Sequence, residues 1–136
     1  MKVVFYKPVF KYIISCFFII IFYSATSANA AECKIDTWKV YPSNPNTTTH
    51  WSVLKGASCR STDRGRNLNN FVVSMRPTHG IAGVNNSIAD HGFGYASSGG
   101  YVGHDHFQIT GLFHPTYQTD PIPAVIDVEV DVVDHM

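Results

Sequence analysis

The sequence predicts an all-β protein, an antiparallel β-sandwich, on three observations. Near the C-terminus Ala124, Ile126, Val128, Val130 and Val132 alternate with Asp127, Glu129 and Asp131, the period of a strand that sends one face into a core and presents a row of acids to water. Gly99-Gly100-Tyr101-Val102-Gly103-His104-Asp105-His106-Phe107-Gln108-Ile109-Thr110 is a glycine-punctuated turn that runs into a second alternating strand. The rest is a series of short β-rich runs separated by glycine and proline turns, with no helical period.

Ahead of these strands the chain reads as an export signal. Lys2, Lys7 and Lys11 form a basic start, Tyr12 to Tyr23 an apolar run, and Ser27-Ala28-Asn29-Ala30 a small-residue cleavage site, the three parts of a secretory signal. The run falls short of the about 20 apolar residues of a spanning helix, so residues 1–30 are expected to be a cleavable signal peptide that touches the membrane only transiently, an uncleaved anchor being the alternative. Residues 31–136 are then one domain, a size that supports a single core. The whole chain has 10 Lys+Arg and 10 Asp+Glu. Losing Lys2, Lys7 and Lys11 leaves a mildly acidic domain, which argues against a nucleic-acid partner, since phosphates call for a basic patch. Cys16 leaves with the signal, and Cys33 and Cys59 remain. In the periplasm or outside the cell such a pair is expected to form a disulfide.

Taken in order, Ile35 to Tyr41 alternates as a first strand with Trp38 and Val40 on its core face. Pro42-Ser43-Asn44-Pro45-Asn46-Thr47-Thr48-Thr49 reads as a break, because prolines and short polar side chains favour turns. Trp51 to Leu54 is a short second strand. Asn46-Thr47-Thr48 and Asn85-Asn86-Ser87 match glycosylation sequons and are expected to be chance matches in exposed loops. Ser58 to Asn70 is polar and is expected to be a solvated connection; a small anion-binding loop of Arg60, Arg64 and Arg66 is the alternative. Phe71 to Met75 forms a strand, Arg76 to Gly80 a turn, and Phe93 to Tyr95 a short aromatic strand. The strand at Phe107 and Ile109 is expected to pair with the last strand across the connection from Gly111 to Pro123. Glycines at 99, 100 and 103 allow a tight reversal around Tyr101. The Asp105 carboxylate is placed to accept turn amides at the start of the strand that carries Phe107.

This order of elements, a strand, the Pro77-Thr78-His79-Gly80 turn, an aromatic strand ending in Tyr95, then Gly100-Tyr101-Val102-Gly103-His104-Asp105-His106-Phe107 and a valine-rich strand, resembles the bacterial immunoglobulin-like, cadherin-like domains of secreted and surface proteins. The resemblance implies an immunoglobulin-like β-sandwich in which Gly100, Gly103, Asp105 and Phe107 are structural. It also implies an exported, non-enzymatic binding module for another protein or an envelope glycan. Tyr101, Phe113 and Tyr117, expected to be exposed, are the first candidate contacts, since aromatics often anchor interfaces.

The histidines are the serious candidates for chemistry. His104 and His106 are two apart and would share a strand face, where they could hold Zn²⁺ or Cu²⁺ with His79, His91 or His114. A periplasmic metal-binding protein is therefore the alternative function; the leading expectation is that no cofactor is needed. The acidic row lacks the compact loop that gathers oxygens around Ca²⁺. No nucleophile elbow, phosphate-binding loop or His-Glu-x-x-His signature is present, and an enzyme is not expected.

Overall fold

The computed structural model describes residues 32–62, 67–116 and 120–136. The signal segment, Arg64, Arg66 and Tyr117 lie outside the described residues. Within them run β1 (Cys33–Ile35), β2 (Asn46–Leu54), β3 (Ser58–Thr62), β4 (Leu68–Met75), β5 (Gly80–Asn85), β6 (Gly92–Ser97), β7 (Gly103–Phe113) and β8 (Ile122–Val133). They form a five-stranded sheet in the order β1-β2-β8-β7-β4 and a three-stranded sheet in the order β3-β6-β5.

The alternating stretches pair as the sequence predicts: β7 and β8 are antiparallel, with Phe107 opposite Val128 and Ile109 opposite Ile126. Ala124, Ile126, Val128, Val130 and Val132 are all buried. The expectation of a wholly antiparallel fold is corrected at one place, because β2 lies parallel to β8 over its whole length. Aromatic rings fill the space between the sheets. Trp51 of β2 stacks on Phe93 of β6 with centroids 5.6 Å apart, and Tyr95 of β6 stacks on Phe107 of β7 at 5.7 Å. The expected disulfide is present: Cys33 in β1 and Cys59 in β3 bond across the two sheets with Cα atoms 5.6 Å apart.

Four expectations about individual elements change. The first strand is Cys33–Ile35; beyond it Trp38 crosses toward the other sheet, where its indole N–H donates to Ser61 Oγ at 3.2 Å. The second strand starts at Asn46, within the stretch expected to be a break. β-branched threonines suit a pleated surface, and Thr49 is buried, accepting the Trp51 indole N–H at 3.2 Å and donating to the Asp36 carbonyl at 3.1 Å. Ser58–Thr62 is a strand, because Cys59 is drawn into the core by its bond to Cys33. β5 is a strand that no periodicity announces, since Gly80 and Gly83 interrupt it. It lies at a sheet edge.

Two local devices hold the β4 edge and the centre of the small sheet. Asn70 adopts φ 52° beside a register shift between Asn69 and Val72. The Asn86 side chain serves as a ladder partner there, accepting the Phe71 N–H at 2.7 Å and donating to the Phe71 carbonyl at 2.9 Å. Gly92 lets β6 approach β3 closely, for a Cβ there would stand 2.2 Å from the Ser61 carbonyl oxygen.

Candidate functional site

Three places on the sandwich combine polar chemistry with fixed geometry. The first is at the start of β7. Asp105 points inward in line with Phe107 and Ile109 and is 3% exposed. Its carboxylate accepts the Thr78 N–H at 2.9 Å, the His79 N–H at 3.0 Å, the His106 N–H at 3.0 Å and the Tyr95 hydroxyl at 2.9 Å. Burial raises the Asp105 pKa, but the N–H groups of Thr78 and His79, the Tyr95 hydroxyl and the His106 N–H outweigh it and hold it below its ordinary value. Burial and then the Asp105 charge push the Tyr95 phenol up. Such a carboxylate spends its lone pairs on the β4–β5 turn and on the facing sheet.

Tyr101 lies over this turn. Its ring stacks on His79 with centroids 3.8 Å apart, and its hydroxyl donates to the His104 carbonyl at 2.5 Å. Gly103 has φ +144°, and a Cβ there would stand 2.8 Å from Tyr101 Oη. Gly99 and Gly100 do not share this conformation: they sit in the turn closed by the Tyr101 N–H to the Ser98 carbonyl at 3.4 Å. Of the three turn glycines only Gly103 takes the backbone angle that a side chain resists.

The second place is the outer face of the five-stranded sheet. His104 is opposite Asp131, His106 opposite Glu129, and Gln108 opposite Asp127, so the acidic row expected to face water alone is half covered by cross-strand partners. His104 Nε2 lies 2.8 Å from Glu129 and its Nδ1 3.2 Å from Asp131; His106 Nε2 lies 3.4 Å from Asp127. The Asp131 hydrogen bond raises the His104 pKa; burial opposes it, and the Glu129 hydrogen bond and the charges of Glu129 and Asp131 leave the net direction upward. The histidines named as possible ligands do not converge. His79 is stacked on Tyr101, His91 lies against the Phe71 ring at 6.2 Å, and His114 meets Asn69 Oδ1 at 3.2 Å. Among the described residues, no group of three or more His, Cys, Asp or Glu side chains is placed to hold a metal ion. Arg60, from the stretch considered for anions, is paired with Asp90 at 2.9 Å.

The third place lies at the far end of β7, about 26 Å along the strand from Asp105 at ~3.3 Å per residue. A cleft of about 520 Å³ opens there between the β1–β2 connection, the end of β3 and the start of β4. Trp38, Tyr41, Leu68 and Phe113 supply its apolar surface; Asp36, Lys39, Ser61 and Asn67 are among its polar groups. Phe113, expected to be exposed, is 7% exposed, because the inward alternation of β7 continues to its last residue. Tyr101 is half-buried. Among the described residues, the exposed aromatic at this end is Tyr41, at 54%. It was legible only as an aromatic beside the Pro42-to-Pro45 turn, and sequence reasoning did not single it out.

Comparison with protein-family models, with curated proteins and with solved structures finds no match to this chain.

Proposed function

We propose that this chain is an exported, non-enzymatic binding module of immunoglobulin-like architecture that takes its ligand, a protein or an envelope glycan, at the cleft beside Tyr41. The strand orders support the architecture: β3-β6-β5 follows the B-E-D order and β8-β7-β4 the G-F-C order of an immunoglobulin-like sandwich. The cross-sheet disulfide fits an oxidising compartment and hence export to the periplasm or the cell exterior. The observation that carries the binding role is the cleft itself. Its size is that of a small-ligand site, about 300–1,000 Å³, and it joins aromatic surface to polar groups at one end of a rigid sandwich.

The alternative, a periplasmic metal-binding protein, draws no support from histidines that are distributed over separate parts of the sandwich. Retention of envelope protein and envelope glycan fractions on immobilised wild type and on Tyr41→Ala tests the cleft. Loss of retention in the variant is the expected result. Equal retention by both proteins, or by neither, would dismiss the cleft as the ligand site.

A further inference from the structure

The chemistry of the cleft walls points to a short, uncharged oligosaccharide as the occupant, and we infer that this module is a glycan binder; the inference rests on the cleft being the ligand site. A sugar ring has an apolar C–H face and an equatorial belt of hydroxyls, each both donor and acceptor. It therefore calls for aromatic surface flanked by carboxylate, amide and hydroxyl groups rather than for a uniformly apolar or uniformly charged pocket. The cleft has that composition. Trp38 and Tyr41 give aromatic surface, and Asp36, Ser61 and Asn67 give acceptors and donors of the three kinds. Two of these groups are held by the fold. The Trp38 indole is tied to Ser61 Oγ. Asp36 has its backbone N–H on the His50 carbonyl at 3.0 Å and its carbonyl on Thr49 Oγ1 at 3.1 Å, which fixes it at the cleft wall.

Other occupants fit less well. Among the described residues that line the cleft, Asp36 and Lys39 stand close in sequence on the same wall and leave no excess of positive charge for a phosphate. The segment 36–40 is not a strand, and the edge strands β3 and β4 bring only Ser61, Thr62 and Leu68 to the lining, too short a ladder for an extended peptide to join. A wholly apolar ligand would leave the Asp36 carboxylate and the Asn67 amide facing hydrocarbon without partners, which disfavours it.

The protein carries its own reporter. It has 2 tryptophans, and Trp51 is 1% exposed, so a ligand that changes the indole emission acts at Trp38. The exported protein is titrated with chitotetraose, cellotetraose and maltotetraose, followed by tryptophan emission and by calorimetry. At least one tetrasaccharide is expected to give a saturable change, weakened about tenfold or more by Tyr41→Ala and several-fold by Asn67→Ala, both exposed positions. No saturable change up to about 10 mM, weaker than ordinary specific binding, overturns the glycan inference. If Tyr41-dependent retention of an envelope protein fraction is seen instead, the cleft reading stands and the glycan inference falls. A saccharide response unaffected by Tyr41→Ala puts the sugar elsewhere and overturns the inference as well.

Discussion

The Tyr95 hydroxyl donates to the Asp105 carboxylate at 2.9 Å from the opposite sheet, so one buried charge joins β6, β7 and the β4–β5 turn. Removing that charge leaves the turn amides of Thr78 and His79 and the phenol without their acceptor. Asp105→Ala is therefore expected to destabilise the fold by about 1–3 kcal/mol, the cost of buried donors left unpaired. The pH dependence has a definite sign. A carboxyl whose folded pKa lies below its ordinary value of 3.8 contributes stability that is complete above that value and is lost as pH falls through the folded pKa. Urea midpoints of wild type should thus fall more steeply below about pH 4 than those of Asp105→Asn. Parallel acid profiles would show that the charge contributes nothing.

Gly103 and Tyr101 form a pair in which one residue's missing side chain makes room for the other's hydroxyl. Gly103→Ala meets two obstacles, the φ of +144° and a Cβ 2.8 Å from Tyr101 Oη, and is expected to cost about 1–3 kcal/mol, as backbone strain of this kind does. Adding Tyr101→Ala removes the collision but not the backbone strain. The double variant should then be more stable than the sum of the single changes predicts, a coupling that denaturant melts of the four proteins measure. Strict additivity would mean that the two residues act independently.

Residues whose partners are close in sequence, or whose role is a period of two, were legible before the structure. The five buried positions of β8 and the inward Phe107 and Ile109 of β7 follow from alternation alone. The carboxylate of Asp105 was legible as an acceptor of turn amides, but two of its turn donors, Thr78 and His79, lie 27 and 26 residues upstream, and spacing does not reveal which turn folds back. Thr47 to Thr49 look like a loop until β8 supplies their ladder. Ser58 to Thr62 looks solvated until the disulfide draws Cys59 inward. The cleft was illegible for a related reason: Asp36, Ser61 and Asn67 come from three segments that only the closing of the sandwich brings together.

The outer face of β7 and β8 gives a second pH dependence of opposite sign. The His104 pKa is raised above its ordinary value of 6.5 by Asp131 and Glu129, so this pairing stabilises the fold fully below 6.5 and its contribution fades as pH rises through the folded value. The ring is exposed, and salt should screen the effect. Proton NMR is expected to show a His104 midpoint above 6.5 in low salt that moves down in Asp131→Asn and in 1 M NaCl. A midpoint indifferent to both changes would mean that the cross-strand acids do not act on it.

The disulfide bears on stability through its topology. Cys33 and Cys59, separated by 26 residues, tie the three-residue β1 at the edge of one sheet to β3 at the edge of the other, so the bond closes a loop that contains all of β2. In the chain-entropy view a loop of this size is worth about 3–4 kcal/mol, a large part of the about 5–15 kcal/mol that holds a domain folded. For a domain of about 100 residues, 1 kcal/mol moves the midpoint by about 4–8 °C. The Cys33→Ala/Cys59→Ala variant is therefore expected to melt at least about 10 °C below wild type. Reduction with dithiothreitol should lower the wild-type midpoint by a similar amount and leave the variant unmoved. If reduced and oxidised wild type melt together, the core between Trp51, Phe93 and Phe107 holds the sheets without the bond, and the bond adds nothing to the stability of the fold.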